Sequence, residues 1–585
     1  MSLNKTPTDF IKAQDQRFIL ENDKGKDGNQ KQNINSKRYE TLVYKILRSK
    51  IINNDIFIKN SIEYRHVDDD LLSEKYFREN YQNIIQSLEL LPYIDKPISE
   101  ILATAIGKLN EASNRVNKRI IENKNPHFEM KDADKNKWSL NYDKVNHLDL
   151  HDNLFESLPQ IDLVDIIHFV DNKTNIFTHF SHVVHKNNSG NIIDKEILKA
   201  TITAQATNMG LKQMSSSSGF SYHKLKNMST NFIREETLKI VNEKLVNETK
   251  KLPIFQHYNV DQKNTENIFS AIDGQKYSVG VDTINARYSQ KYFGRDKGIS
   301  ALTMSANFQA LAFKAISPNE YEGHHNLELF LMNESDIQPN YQSSDNHGVN
   351  DINFALFDFF GVQFAPRFAN LNYKSQFLCG EKEIKDYPKN WVLKPSHVIN
   401  QKLILEEDMN IKRVIASLAL KKTTVSTIVR KISTSPKSNK TRKALAEFDK
   451  IIRSIYILNY IDDLNLRQYV QKAVNRQELY HKLRRKVGFD NGGKIMVKSE
   501  TEQVEYQECN RLICNMIVYY NSYVLSEFLK QKETLGQVDQ IQALQQISPI
   551  AWRHINFYGK YEFESHKNNV DFDKINEVLA GINLI

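Results

Sequence analysis

Three acidic residues have the types and settings to do chemistry: Asp273 in NIFSAIDGQKYSVGV, Asp345 in YQSSDNHGVNDINFALFDFFG, and Glu478 in LRQYVQKAVNRQELYHKLRRKV. Each falls where a strand or helix is expected to reach one shared sheet edge. Converging carboxylates supply the hard oxygen ligands that two Mg²⁺ ions require, and such ions clamp the attacking and leaving oxygens of a phosphodiester displacement. The trio points to cutting and joining of nucleic acid. Leu466, Val470, Val474 and Glu478 recur every four residues, which puts Glu478 on the face whose apolar members pack on a sheet. Both aspartates also have ordinary alternatives. Asp273-Gly274 is a hairpin-turn dipeptide. Asp345 can cap the helix that follows it, although Asn350 and Asp351 can do that instead.

The elements that must position these residues follow from periodicity and turn signals. Residues 21–38 have almost no apolar content, so 1–38 is expected to be a solvated tail or linker. Apolar residues recurring at three and four predict a small helical domain over 39–130 and a helix-rich scaffold over 131–260. Character changes at Asn267. NIFSAID, KYSVGV, GISALTMSA and QALAFKAI read as four β-like segments, followed by a helix (EYEGHHNLELFLMNES), a strand (IQPNYQSSD), a helix (DINFALFDFFG) and a strand (VQFAPRF). That order is the order of a ribonuclease-H-like α/β core. Its first part is expected over 261–380, a helical insertion over 381–463, its second part with the Glu478 helix over 464–530, and a C-terminal helical segment over 531–585. The fold class is therefore α+β and multidomain, mostly helical, with an interrupted ribonuclease-H-like core.

Composition narrows the class. The 585 residues suggest about three or four domains, and 40% hydrophobic content can bury a sizeable core. No apolar run reaches membrane-spanning length, and MSLNKTPTDFIKAQDQ lacks the order of a signal peptide, so a cytosolic location and no membrane partner are expected. Cys379, Cys509 and Cys514 are too few for a disulfide framework and are read as buried thiols. Net charge of +8 says little by itself. Its distribution says more. Lys421 to Lys443 carries eight Lys or Arg and no Asp or Glu, among them Lys421, Lys422, Arg430, Lys431, Lys440, Arg442 and Lys443; Lys482, Arg484 and Arg485 follow Glu478. These side chains are candidate phosphate contacts, with a solvated face as the alternative.

From about Tyr39 onward the chain resembles the Tn3 family of replicative transposases. A Ser-Asp-Gly-Gln type turn and a downstream Asn-Ala-Arg-Tyr appear as AIDGQ and Asn285, Ala286, Arg287, Tyr288; a Thr-Asp-Thr-x-Gly block leading to FALF, LLG and APR appears as SSDNHG, FALFDFFG and APRF; Leu-Asn-x-x-Glu appears as VNRQE. SPIAWRHINFYGKYEF, NMGLKQM and FIREET resemble further family blocks. Ser344 and Asn346 stand where the family usually has threonines, a change that removes no metal ligand.

The resemblance implies that Asp273, Asp345 and Glu478 form a DDE set holding two Mg²⁺ ions, with Mn²⁺ able to substitute. His347 and Arg367 would support it, either at the phosphate or by steadying neighbours. It also implies nicking at the terminal inverted repeats, strand transfer of 3′-hydroxyl ends into double-stranded target DNA, a homodimer, and a bacterial cytoplasmic setting on the nucleoid. Family members typically carry further N-terminal DNA-binding regions, which this chain is expected to lack. The alternative reading is thus a truncated, non-catalytic DNA-binding regulator; a structure-selective nuclease of the same fold is a third.

Overall fold

A computed structural model describes residues 6–24, 30–53, 55–132, 137–141, 154–184, 193–345, 348–435, 439–564 and 570–584. The chain divides into two compact units, one made of Met1–Leu90 with Gln401–Glu447 and the other of Leu91–Asn400 with Phe448–Ile585. Among the described residues, no helix is long and apolar enough to cross a membrane.

In the first unit, the described residues of the segment expected as a tail include regular structure. Leu20–Lys24 and Gln30–Ile34 pair as an antiparallel hairpin, and the helix Ser36–Ile52 follows, with the Asn35 side chain accepting the Arg38 N–H as its cap. Ile11, Ile19 and Ile34 close over Leu42, so a few well-spaced isoleucines organise a stretch whose bulk composition is polar. Gln401–Glu447, part of the expected helical insertion, belongs to this unit. Phe77 and Ile84 pack with Ala416, and Arg413 donates to the Leu72 carbonyl at 2.8 Å and to Asp68 at 2.6 Å. Asp70, 1% exposed, pairs with Lys431 and, at 2.8 Å, with Arg65. A buried carboxylate is tolerable only with such partners.

The second unit holds the sheet: β1 (Phe269–Ser278), β2 (Arg287–Tyr288), β3 (Lys297–Ala306), β4 (Gln309–Ile316), β5 (Tyr341–Ser344) and β6 (Gln363–Phe364). Their order is β6-β5-β1-β3-β2, with β4 also paired to β3. β5 runs parallel to β1 and β6, whereas β3 runs antiparallel to both β1 and β4. This is the ribonuclease-H-like core, surrounded by helices. NIFSAID and KYSVGV are one strand rather than two. Asp273 and Gly274 lie inside β1, opposite Thr303 and Leu302 of β3, so the hairpin reading of Asp-Gly is overturned. The hairpin turn occurs instead at Asn307 and Phe308, whose φ angles of 46° and 67° are the paired positive values of a type I′ turn. Phe308 is held there under the Arg476 guanidinium, 4.1 Å from its ring centroid.

β3 and β4 are buried along almost their whole length, as continuous apolar runs covered on both faces should be. Helices α1 (Glu235–Lys250), α2 (Asn353–Phe359), α3 (Leu464–Val487) and α4 (Glu500–Thr534) frame them. The 35 residues of α4 are buried on nearly every side, which makes it the post of the scaffold. Its polar core residues are partnered: Glu508 pairs with Arg511 at 2.6 Å and accepts from Asn242 of α1, and Arg511 donates to the Leu311 carbonyl of β4 at 2.8 Å. Cys379, Cys509 and Cys514 are buried free thiols, as expected.

Candidate functional site

Parallel pairing of β5 with β1 places Ser344 opposite Ile272. Asp345 follows directly on the end of β5, beside Asp273 of β1, and its charge acts on the Asp273 carboxyl. Asn350 accepts from the Ile352 and Asn353 N–H groups, and the buried Asp449 accepts from Phe354 and Ala355. The start of α2 is satisfied without Asp345. On the far side, the Arg367 N–H donates to the Ser344 carbonyl at 2.8 Å, which carries the β6 edge up beside Asp345.

Burial pushes the Asp273 carboxyl up to about 7, reinforced by the charges of Glu322 and Asp345; the Gly274 N–H and the Lys276 ammonium oppose the shift.

Three further groups that sequence reasoning missed surround the pair. The Glu322 carboxylate lies directly over Gly274, where it pairs with Lys276 and accepts from Ser300 Oγ at 3.3 Å. A Cβ on Gly274 would collide with that carboxylate and lie 2.7 Å from Ser300 Oγ, so the glycine serves close approach rather than a turn. Gly274→Ala is expected to displace the Lys276–Glu322 pair and cost about 1–2 kcal/mol, read by chemical denaturation.

His481 of α3 places Nδ1 3.6 Å from Asp273 Oδ2. Gln477 Nε2 donates to the Thr303 carbonyl at 3.2 Å and lies 2.9 Å from His481 Nε2, so that ring nitrogen accepts. The network thus assigns the proton to Nδ1, facing Asp273. Burial, and then the charges of Arg484, Arg485 and Lys276, hold the imidazole neutral by lowering it to about 3.

Glu478 is the departure from expectation. Leu466, Val470 and Val474 are buried, but Glu478 is exposed. A helix turns about 100° per residue, so a strict four-residue stripe drifts roughly 40° at each step and about 120° by Glu478, whereas Gln477 returns to within about 20° of Leu466. Gln477 and His481 accordingly face the sheet, and Glu478 sits at the rim three residues before His481. Among the described residues, no group of three or more His, Cys, Asp or Glu side chains is gathered closely enough to hold a metal ion. Asp273 and Asp345 have the oxygen chemistry and the mutual repulsion that suit a hard dication; the structure brings these two together and not the third.

The basic candidates divide. Lys421, Lys422, Lys440, Lys443, Lys482 and Arg485 are exposed. Arg430 and Arg442 are half-buried, the first 3.6 Å from Glu63 and the second donating to the Ser435 carbonyl. Lys431 and Arg484 are corrected. Lys431 is spent on Asp70 and the Arg65 carbonyl, and Arg484 donates to Thr303 Oγ1 at 2.8 Å, to Asn510 at 3.1 Å and to Gln507. A guanidinium enclosed beneath β3 cannot reach a phosphate. His347 lies outside the described residues.

The profile of the Tn3 transposase DDE domain matches residues 165–561. The chain belongs to the Tn3-type DDE transposase family. It is 26% identical over 578 residues to the transposase for transposon Tn1546 of Enterococcus faecium, covering 96% of this chain and 54% of that one. It is 27% identical over 539 residues to the transposase for transposon Tn2501 of Escherichia coli, covering 92% and 52%, and 25% identical over 578 residues to that for transposon Tn501 of Pseudomonas aeruginosa, covering 97% and 55%. The chain spans about half the length of the curated relatives it matches. Within this Tn3-type chain, the Asp273 and Asp345 blocks sit on neighbouring strands of the sheet and the Glu478 block on the helix that crosses it.

Proposed function

We propose that this chain is a DNA transposase subunit that nicks DNA at transposon terminal inverted repeats and transfers the freed 3′-hydroxyl ends into target DNA. The observation that carries this reading is Asp273 on β1 with Asp345 at the end of the neighbouring parallel strand β5 of a ribonuclease-H-like sheet, in a chain of this family. Asp273 and Asp345 would hold Mg²⁺ (or Mn²⁺), with Glu478 completing the set of ligands for two ions, and the metal when bound would supply Lewis-acid stabilisation of the attacking and leaving oxygens.

The chain's own residues then have defined tasks. His481 keeps an N–H toward Asp273 and so biases which carboxylate oxygen remains available, a task for a group held by its own second partner. Arg367, beside Asp345, offers a planar guanidinium to the non-bridging oxygens of the phosphate that is cut. Lys482 and Arg485 on α3, and Lys421, Lys422, Arg430, Lys440, Arg442 and Lys443 in the first unit, bind DNA backbone phosphates. Joining two ends calls for two sites, so the working form is a homodimer acting on nucleoid DNA.

The test is strand transfer with labelled, pre-nicked transposon ends in Mg²⁺ or Mn²⁺, comparing wild type with Glu478→Gln. Joined products that fall by about a thousandfold in the variant are expected, the scale for loss of a group that stabilises transition-state charge. Joining that persists in Glu478→Gln removes this residue from the ligand set. Equal DNA binding without joining in either protein supports the non-catalytic regulator.

A further inference from the structure

The outer edge of the sheet has no role in the function described above. β2 ends the strand order and pairs only with β3, Arg287 opposite Gly298 and Tyr288 opposite Lys297. Here large side chains stand open: Tyr288 is 62% exposed and Tyr292 45%. Their backbone is anchored. The neighbouring Phe293 ring packs onto Gly298, where a Cβ would collide with it and lie 2.5 Å from the Tyr277 carbonyl oxygen. Asn319 Nδ2 donates to the Tyr288 carbonyl at 3.1 Å. Phe293 is thus turned in and Tyr292 out, and both tyrosine rings are presented from a braced backbone.

Cations surround the rings. Lys297 Nζ is 5.0 Å from the Tyr288 centroid, and Lys276 and Lys291 are 5.3 and 4.8 Å from that of Tyr292. Lys297 is paired with Asp282 and Lys276 with Glu322. Among the described residues, no carboxylate pairs with Arg287, Lys291 or Arg295, and all three are exposed. Asp296, which follows Arg295, is taken by Lys494 at 3.3 Å.

We propose that this edge is a platform for single-stranded DNA, with unpaired bases stacking on Tyr288 and Tyr292 and phosphates resting on Arg287, Lys291 and Arg295. The inference rests on the reading that Asp273 is where DNA is cut. Lys276 is three residues from Asp273 on β1, about 10 Å along the strand and on its opposite face, and its ammonium lies by Tyr292, so the platform is near the carboxylates and is reached around the strand. An exposed ring offers nothing to a duplex, whose base faces are already stacked. It offers an unpaired base a sequence-tolerant partner, and the uncommitted cations select a polyanion over an apolar protein surface.

The experiment is fluorescence anisotropy of the full chain with a labelled mixed-sequence single strand and the matching duplex. The variants are Tyr288→Ala with Tyr292→Ala, and the same pair changed to Phe. Single-strand affinity in the double alanine variant is expected to fall by about tenfold or more, with duplex affinity within about twofold and the phenylalanine pair close to wild type. Single-strand binding indifferent to the alanines overturns the platform, as does an equal fall for single strand and duplex. Binding of neither DNA by the wild-type chain overturns the underlying reading instead. Both tyrosines are exposed, so the substitutions leave the core intact.

Discussion

Asp273→Asn is expected to abolish the proposed strand joining, by about a thousandfold or more, and at the same time to stabilise the metal-free protein at neutral and alkaline pH. The first effect follows from the proposed role of Asp273 as a charged metal ligand. The second follows from linkage. Asp273 titrates near its ordinary value when the chain is unfolded but at about 7 when folded, because burial and the Glu322 and Asp345 charges resist its ionisation. The unfolded state therefore gives up its proton first, and stability is lost as pH rises from about 4 to about 7. Asparagine carries no such cost. In chelator, the variant should exceed wild type by about 1–3 kcal/mol at pH 8 and match it at pH 4 or below, read by urea denaturation at each pH. Mn²⁺ should raise the melting temperature of wild type and leave the variant unmoved. A variant no more stable than wild type at pH 8 removes the charge-crowding account of the site.

Arg484→Ala and Arg485→Ala, neighbours in one basic run, should behave oppositely. Arg484 is fully buried, holds Thr303, Asn510 and Gln507, and lies 5.3 Å from the Phe313 ring centroid. Its removal leaves a cavity and unpaired acceptors between α3, β3 and α4, with an expected loss of about 3–5 kcal/mol. Arg485 is exposed. Its removal should change stability by less than about 0.5 kcal/mol while weakening DNA binding and reducing the salt dependence by about one counterion. Denaturation midpoints and binding isotherms at several salt concentrations separate the two. Equal stability of the two variants would sink the assignment of Arg484 to the core.

A run of like charges cannot by itself tell which members face water, and this is where the sequence reached its limit. Lys431 lies in the same kind of run and is buried against Asp70, a partner more than three hundred residues away in the chain. Local periodicity sees neither partner. The same limit applies to Glu478. A four-residue stripe is a sound guide over two turns, but its drift rotates Gln477 and His481 onto the sheet by the end of a helix 24 residues long. The Asp-Gly dipeptide misled for a related reason. Its turn propensity is local, whereas its place inside β1 is decided by pairing with β3 and by the Glu322 carboxylate that only a glycine admits.

What the sequence determined by itself is the fold class, a mostly helical chain around a ribonuclease-H-like sheet, the cysteines as buried thiols, and the family blocks. Each of these is written in contiguous residues, where alternation, apolar runs and motif spacing act over a few positions. Asn350 as the cap that relieves Asp345 was legible in the same way. The tertiary structure alone decided that Gln401–Glu447 packs with the N-terminal segment, that Lys431 and Arg484 turn inward, and that Glu322, Lys276 and His481 surround Asp273. Those outcomes depend on charges and hydrogen-bonding groups meeting across long stretches of chain, and burial makes such meetings strong without leaving any local pattern to announce them.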